Sequence, residues 1–296
     1  MNIAYLGMGT MGTPMAINLK KSQYDVTIWN RSFKKTSVQQ AIQAGCLPAK
    51  KLEIATKNAD IIISCLGDES DVYEVLLGDN GVSTFAKSNA LIIDMSTIGV
   101  KIAKQINSEL NTQGFRFLDA PVSGGDIGAR AGSLTIMSGG NKADFDEAYP
   151  LFLSLGKNIN YCGESGSGQA VKLVNQGLAS IHMIALSESL KLAEKMGVSG
   201  QQIIDICSTG AAGSWALSNL GPAILGEDFK PGFTIKHMQK DLRLIFESIN
   251  QDNAQFPGIH LANKLFKNVV DTVENGEKLG TQAMFLSQTS KPDESL

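Results

Sequence analysis

The chain has 296 residues, of which 43% are hydrophobic and 19% are charged, and its formal net charge is −3. This length is enough for two domains of ordinary size, each with its own core. The weak negative charge offers no basic surface, so we expect no nucleic-acid partner. No apolar run approaches the roughly 20 residues of a membrane-spanning helix. The first residues already have the pattern of a strand, so we expect no signal peptide.

The cysteines and histidines indicate the compartment and argue against a metal. The four cysteines are scattered and form no C-x-x-C pair. This usage is typical of buried thiols in a reducing compartment, so we expect a cytoplasmic protein. The three histidines lie far apart and lack the spacing of metal ligands. We therefore predict no metal site.

Residues 2–19 carry the strongest functional signal. A short apolar run ends there in a G-x-G-x-x-G turn and a helical pattern follows, which is the context in which this turn binds a dinucleotide. The first glycine permits the turn, the second lets the backbone approach the pyrophosphate, and the third lets helix and strand pack closely. The alternative is a purely structural turn. The predicted cofactor contacts are Gly7, Met8, Gly9, Thr10, Met11 and Gly12.

Short apolar runs alternate with helical patterns through the first half of the chain, which predicts an α/β fold with a parallel, doubly wound Rossmann sheet. Runs such as Ile61-Ile62-Ile63 are apolar throughout, as expected of strands covered on both faces. The predicted strands are 2–7, 25–30, 60–66, 90–95, 115–120, 134–137 and 159–162, and the predicted helices lie near 11–22, 33–44, 50–58, 69–77 and 99–113.

The end of the second predicted strand bears on the choice between NAD and NADP. An NAD site usually has a carboxylate here, which accepts a hydrogen bond from the ribose 2′-hydroxyl. This chain has Asn30-Arg31-Ser32 instead, and the guanidinium of Arg31 suits a 2′-phosphate. Lys35 adds a second positive charge nearby. We therefore predict NADP rather than NAD; the alternative is that Arg31 is only a solvated loop residue.

The strand 115–120 continues into a segment that could hold a carboxylate. Ser123, Gly124 and Gly125 can present a hydroxyl and successive backbone N–H groups in a concavity that binds anions. A flexible Ser-Gly-Gly loop is the alternative.

A long uninterrupted helical pattern from Gln169 to Met196 carries the candidate acid or base. Lys172 lies in its first turns, where apolar surroundings and the helix dipole both disfavour the charged amine and so suit it to proton transfer. Asn175 lies on the same face and can hydrogen-bond the amine or a substrate oxygen. The alternative for Lys172 is a lysine whose amine reaches solvent at a domain edge.

The second half of the chain has only helical patterns, near 200–208, 213–225, 234–251 and 255–273, with breaks expected at Pro222, Pro231 and Pro257. We predict a Rossmann domain at 1–163 and an all-helical domain at 164–296, joined by the long helix. That helix is apolar on several faces, so we expect it to pack against both domains and a second subunit, in a homodimer or homotetramer. Without a subunit, Met183, Ile184 and Leu186 would add to an exposed patch.

Taken together, these segments resemble the β-hydroxyacid dehydrogenase family, which includes 3-hydroxyisobutyrate dehydrogenases and the tartronate semialdehyde and glyoxylate/succinic semialdehyde reductases. The resemblance covers nearly the whole chain, and it implies that Lys172 is catalytic, with Asn175 beside it, and that Ser123-Gly124-Gly125 binds the substrate carboxylate. The matching motifs are Gly7–Leu19, Asp119–Gly125, Gly163-x-x-Gly166-x-Gly168-x-x-x-Lys172-x-x-Asn175 and Lys240-Asp241-Leu242.

The same resemblance implies further site residues. Lys240 corresponds to a second, cofactor-contacting lysine, although Lys240-Asp241 alone is an ordinary charged helix face. Thr97 corresponds to a residue near the nicotinamide and Leu66 to another cofactor contact. Phe233 and Asp241 resemble a substrate-pocket pair.

The sequence therefore predicts an NADP-preferring oxidoreductase that interconverts a small 3-hydroxyacid and its semialdehyde, with Lys172 as general acid and base. A catalytically idle NADP-binding sensor or scaffold is the alternative from another functional class. Imine reductases share the scaffold but replace the lysine, so Lys172 argues against that activity.

Overall fold

A computed structural model describes residues 1–249 and 255–288. The chain divides into two compact units, an N-terminal unit of residues 1–172 and a C-terminal unit of residues 173–296. The division falls within one long helix, whereas the boundary predicted from the sequence, after residue 163, lies just before that helix. Within the described ranges, no helix is both long and apolar enough to cross a membrane.

One nine-stranded sheet forms the centre of the N-terminal unit. Its strands are β1 (Asn2–Leu6), β2 (Asp25–Trp29), β3 (Leu47–Pro48), β4 (Ile61–Ser64), β5 (Leu91–Asp94), β6 (Arg116–Asp119), β7 (Val122–Ser123), β8 (Leu134–Gly140) and β9 (Gly156–Gly163). Their order is β3-β2-β1-β4-β5-β6-β8-β7, with β9 paired to β8. This confirms the Rossmann arrangement for the first six strands, which are parallel. In contrast, β8 is antiparallel to β6 and β7.

Helices cover both faces of this sheet, so each central strand contributes to two cores. In β1, Ile3 and Tyr5 belong to one hydrophobic cluster, while Ala4 and Leu6 belong to the other. The alternation explains why the strand sequences are apolar throughout. The helices are α1 (Gly12–Lys21), α2 (Thr36–Gln43), α3 (Leu52–Thr56), α4 (Glu69–Leu77), α5 (Val82–Phe85), α6 (Val100–Thr112), α7 (Gly125–Ala131) and α8 (Lys142–Phe152).

Besides the four-residue α5, two of these helices were not expected from the sequence. The first, α7, begins at Gly125 and also contains Gly128, and glycine is a poor helix former. The second, α8, contains Pro150, but the side chain of Asn141 caps its start by accepting a hydrogen bond from the backbone N–H of Ala143. Both helices therefore depend on local turns and packing that propensity does not show.

The C-terminal unit is helical in its described part, and a long helix, α9 (Ser167–Lys195), leads into it from the N-terminal unit. The break expected at Pro222 is wrong, because α11 continues through this residue. Pro222 has no backbone N–H to donate to the carbonyl oxygen of Ser218, so the helix continues through this residue with one hydrogen bond fewer. Residues 250 and 251, the end of the helix predicted at 234–251, lie outside the described residues. The other elements are α10 (Gly200–Cys207), α11 (Trp215–Leu225), α12 (Ile235–Ser248), α13 (Pro257–Thr272) and 3-10 helices Gly276–Lys278 and Thr281–Gln288.

The apolar surface of α9 differs from the expectation at three positions. Met183, Ile184 and Leu186 are buried within this single chain, at 2%, 8% and 3% exposure, so they need no second subunit to cover them. Leu186 lies near Gly221 of α11, where the missing side chain leaves room for close packing. The exposed apolar residues of α9 lie elsewhere, on a face that includes Val174, Leu178 and Ile181.

Candidate active site

The glycine turn after β1 has two structural glycines and one open one. A Cβ at Gly7, whose φ is +99°, would lie 2.3 Å from the carbonyl oxygen of Cys65, and a Cβ at Gly12 would lie 2.0 Å from the carbonyl oxygen of Gly7. Both positions therefore exclude a side chain. At Gly9 a Cβ would meet no atom within 4 Å. This open backbone is where an outside group can approach closely.

Side chains from the end of β2 and from α2 hold this turn in place. The backbone N–H of Met8 donates to Asn30 Oδ1 (2.9 Å), and the hydroxyl of Ser37 donates to the carbonyl oxygen of Met8 (2.7 Å). The Asn30 amide also donates to the carbonyl oxygen of Ser32 (2.9 Å). Asn30 thus supports the turn, and Ser37 is a supporting residue that the sequence did not indicate.

The turn fits the pyrophosphate of a dinucleotide. Its backbone is open at Gly9, and among the residues described here the first turn of α1 has no acidic side chain to repel a phosphate. The helix N-terminus adds the positive end of its dipole.

Arg31, the residue predicted to bind a 2′-phosphate, has a carboxylate partner in this structure. Its guanidinium lies 2.9 Å from the carboxylate of Asp71, in the first turn of α4, and the two side chains are 81% and 37% exposed. Ser32 and Lys35 are also exposed. Asp71 was not indicated by the sequence, because it is 40 residues away from Arg31.

Two serines and an aspartate order the carboxyl ends of β4 and β5. The Asp94 carboxylate accepts hydrogen bonds from the hydroxyls of Ser64 and Ser96, both at 2.7 Å. The Ser96 hydroxyl in turn accepts from the backbone N–H of Leu66 at 2.8 Å. These bonds fix the backbone at Leu66 and just before the half-buried Thr97, the two predicted cofactor contacts in this region.

A second buried aspartate, at the end of β6, accepts hydrogen bonds from the start of α9. Asp119 Oδ1 accepts from the backbone N–H of Gly166 (2.7 Å) and Oδ2 from that of Gln169 (2.9 Å). Burial raises the pKa of Asp119 to about 6, while these two hydrogen bonds act against the rise and the nearby Asp94 adds to it. Both Asp119 and Gln169 are fully buried.

The predicted proton donor is buried, and the predicted carboxylate loop contains two glycines with positive φ. Lys172, near the start of α9, is only 6% exposed. Ser123 ends β7 and is half-buried. Gly124 and Gly125 follow with φ of +130° and +61°, backbone conformations that favour glycine. Successive N–H groups in such a turn can converge on an anion.

In the C-terminal unit, three of the predicted residues form a chain of polar contacts with Gln176. Asn175 donates to Gln176 Oε1 (2.9 Å), and Gln176 donates to Asp241 Oδ2 (2.6 Å). The Lys240 ammonium lies 3.2 Å from Asp241 Oδ1. Asp241 is 1% exposed, and Gln176 and Lys240 both lie in its own unit. Gln176 was not indicated by the sequence, because it lies 65 residues before Asp241, on a different helix.

Phe233 lies outside this chain of contacts. It is half-buried, and its ring centroid is 5.7 Å from that of His237. Across residues 1–249 and 255–288, no group of three or more His, Cys, Asp and Glu side chains could hold a metal ion.

Two family models match the chain. Residues 2–163 match the NAD binding domain of 6-phosphogluconate dehydrogenase, and residues 166–285 match the NAD-binding domain of NADP-dependent 3-hydroxyisobutyrate dehydrogenase. The two matched segments meet at the start of α9, where Asp119 accepts its hydrogen bonds.

Several known proteins are similar over almost their whole length. An uncharacterized oxidoreductase of Synechocystis sp. is 50% identical, over 95% of this chain and 96% of the relative. The 2-hydroxy-3-oxopropionate reductase of Escherichia coli is 35% identical, over 90% of both chains. The structure of Mycobacterium tuberculosis 3-hydroxyisobutyrate dehydrogenase with L-serine is 30% identical, with a TM-score of 0.85 over 97% of this chain and 98% of that one.

Proposed function

The chain belongs to the β-hydroxyacid dehydrogenase family and is an NAD(P)-dependent oxidoreductase, and we propose that it interconverts a small 3-hydroxyacid and its semialdehyde. The observation that carries this proposal is the buried Lys172 at the start of α9. A lysine is seldom buried, and an amine in this position suits proton transfer. L-serine, the ligand of the Mycobacterium tuberculosis relative, is itself a 3-hydroxy carboxylic acid.

Each residue of the proposed site has one task in the reaction. The Ser123 hydroxyl and the N–H groups of Gly124 and Gly125 bind the substrate carboxylate. During reduction the Lys172 ammonium donates a proton to the carbonyl oxygen, and during oxidation the neutral amine accepts it. Asn175, one turn further along α9, orients the oxygen and the amine. The nicotinamide, when bound, gives or takes the hydride.

We propose NADP as the preferred cofactor, with NAD as the weaker one. Arg31 and Lys35 supply positive charge after β2, and the Asn30 amide, in the place of a ribose-binding carboxylate, is used to hold Met8. Asp71 opposes this preference in part, because its carboxylate occupies Arg31 in the structure. A 2′-phosphate would compete with it for the guanidinium.

The remaining contacts are proposed from the family resemblance. Thr97, Leu66 and Lys240 contact the cofactor, while Phe233 and Asp241 belong to the substrate pocket. For Asp241 the burial and the contacts with Gln176 and Lys240 favour an indirect role, in which the carboxylate holds the ammonium of Lys240 in place.

A kinetic screen with NADP(H) and NAD(H) tests the proposal. The substrates are glyoxylate, the semialdehydes of succinate, methylmalonate and tartronate, 3-hydroxyisobutyrate, 3-hydroxypropionate and L-serine. A cyclic imine is assayed beside them to test the imine reductase alternative. We expect turnover with at least one of these substrates and a higher kcat/KM with the phosphorylated cofactor. Cofactor binding without turnover of any of them would favour the idle sensor, and turnover only of cyclic imines would favour an imine reductase.

We also propose a homodimer or homotetramer in the cytoplasm. Val174, Leu178 and Ile181 are 74%, 56% and 39% exposed and share one face of α9. The cytoplasm is proposed because none of the four cysteines, all within the described part of the chain, forms a disulfide. Sedimentation should show a dimer or larger species that Leu178→Lys dissociates; a monomer at micromolar concentration would contradict the oligomer.

A further inference from the structure

Two buried carboxylates stand next to each other at the carboxyl ends of β5 and β6. Asp94 and Asp119 are paired in the register of these parallel strands, and both are fully buried. Burying carboxylates is unfavourable unless hydrogen bonds compensate for the lost water. Asp94 receives hydroxyl donors, but Asp119 receives main-chain donors, and this difference indicates what Asp119 holds.

The donors to Asp119 are Gly166, the residue just before α9, and Gln169, in the first turn of that helix. The N–H groups of Gly166 and Gln169 have no partner within the helix, because the first N–H groups of a helix never do. The carboxylate therefore fixes where α9 begins. The fit is tight as well, since a Cβ at Gly168 would lie 2.3 Å from the carbonyl oxygen of Met137 and 2.7 Å from that of Asp119.

The side chain of Gln169 connects the same turn to the loop that contains Thr97. Its Oε1 accepts from the N–H groups of Ile98 (3.0 Å) and Gly99 (3.2 Å), and its Nε2 donates to the carbonyl oxygen of Ser96 (2.8 Å). These three bonds attach the loop to the first turn of α9.

We propose that Asp119 and Gln169 are positioning residues for proton transfer: together they set the start of α9, and with it the place of the Lys172 amine. Lys172 is three residues after Gln169, so any shift of the first turn moves it directly. The inference rests on the proposed role of Lys172. Neither positioning residue contacts substrate in this scheme; both act through the helix.

Asp119→Asn tests the first half of the inference. The amide keeps the size of the side chain but replaces one acceptor with an NH2 group that faces a main-chain N–H. Because small displacements of a catalytic group can cost about a hundredfold in rate, we expect kcat to fall about tenfold to a hundredfold. The KM for NADPH should stay within about twofold, since the glycine turn is untouched.

Gln169→Met tests the second half and covers the case in which Asp119→Asn does not fold. It retains the length of the side chain and removes all three bonds to the loop. We expect the same fall in kcat, together with a rise in the KM for NADPH that Asp119→Asn does not show, because the released loop carries the proposed cofactor contact Thr97. A fall in stability alone, with kcat unaltered in the folded variants, would overturn the inference.

Asn141→Ala is the matched control. Asn141 caps α8 in the same unit, but α8 carries none of the proposed site residues. This variant should lower the melting temperature and leave kcat unchanged. If it lowers kcat as much as Asp119→Asn does, loss of a helix cap affects turnover in general and the inference is wrong.

A double-mutant cycle with Lys172→Ala separates this inference from the proposed function. If Asp119 acts through Lys172, adding Asp119→Asn to Lys172→Ala should reduce the residual rate by less than about twofold. An equal loss in both backgrounds would overturn the positioning role. Undiminished turnover of Lys172→Ala would instead overturn the proposed function, whatever Asp119→Asn does.

Discussion

Asp119 and Asp241 are both buried carboxylates that accept a hydrogen bond from a glutamine residue of α9, yet they hold different things. Asp119, in the N-terminal unit, accepts from the main-chain N–H groups of Gly166 and Gln169. Asp241, in the C-terminal unit, accepts from the side chain of Gln176 and pairs with the Lys240 ammonium. The first aspartate therefore fixes a backbone, and the second fixes side chains.

This difference has a consequence for function. A backbone anchor acts on everything that follows in the helix, so disturbing Asp119 should change the rate of the chemical step through Lys172. A side-chain anchor acts only on its partner, so disturbing Asp241 should change what Lys240 does. Variants of Lys172, Asp119, Lys240 and Asp241 test this division.

Lys172→Ala should remove most of the turnover. General acid–base catalysis contributes about 10²–10⁴-fold. The kcat should therefore fall by a factor in that range or larger, while the KM for NADPH changes little. Steady-state kinetics on the best substrate of the screen measures both. Lys195→Ala, on the exposed end of the same helix, is the control and should behave like wild type. Activity of Lys172→Ala within a few-fold of wild type would show that Lys172 is not the acid or base.

The buried Asp119 carboxylate should make the folded protein more stable at lower pH, which is the opposite of what a carboxylate with a lowered pKa does. Its pKa in the folded chain is about 6, above the ordinary value of 3.8, so ionisation opposes folding above pH 6. This penalty disappears as the pH falls from about 6 to about 4, and two pKa units correspond to about 3 kcal/mol. Wild type should therefore gain stability relative to Asp119→Asn across this window, by up to that amount.

Denaturant unfolding of both proteins at pH 7 and pH 4.5 measures the effect. The comparison between the two proteins cancels other carboxylates, including Glu147, whose pKa is lowered by Arg116 and which acts in the opposite direction. The Asp94 carboxylate on β5 and the Cys162 thiol on β9 interact electrostatically with Asp119. Both groups are present in the two proteins. Parallel stability curves would show that Asp119 is ionised in the folded chain as readily as in the unfolded one.

Local patterns were enough to predict the Rossmann half of the fold and the long helix. The glycine turn, the apolar strand Ile61-Ile62-Ile63 and the uninterrupted run after Gln169 each show their structure within a few neighbouring residues. The reversed strand β8 was not predictable in this way, because strand direction in a sheet depends on how distant segments pair.

The supporting residues of the site could not be predicted for the same reason. Gln169 donates to Ser96 across 73 residues, and Arg31 reaches Asp71 across 40. Neither pairing leaves a periodic pattern in the sequence. The burial of Met183 was misjudged because an apolar helix face shows that it is covered but does not show which segment covers it.

Lys240→Met should weaken cofactor binding more than it slows the chemical step. A hydrogen bond from a charged group contributes about 1.5–3 kcal/mol, so the KM for NADPH should rise about tenfold to a hundredfold. Asp241→Asn should give a smaller rise in the same KM, because it loosens Lys240 without removing it. Lys236→Met, at an exposed position one turn earlier, is the control. If Asp241→Asn reduces kcat and leaves the KM for NADPH unchanged, the two aspartates do not divide their tasks as inferred.

The smallest effects are expected at Arg31 and Asp71, the exposed ion pair that contrasts with both buried aspartates. Because the Arg31 side chain is 81% exposed, its contact with a 2′-phosphate is screened by solvent, and we expect about a tenfold loss of preference for NADPH over NADH in Arg31→Asp. Asp71→Asn should act in the opposite direction, since it frees the guanidinium from its competitor. A surface ion pair contributes at most about 1 kcal/mol, so this gain should be about twofold to fivefold. The ratio of kcat/KM values for the two cofactors measures both changes. If neither variant moves that ratio, Arg31 does not contact the 2′-phosphate, and cofactor preference depends on other residues near the end of β2.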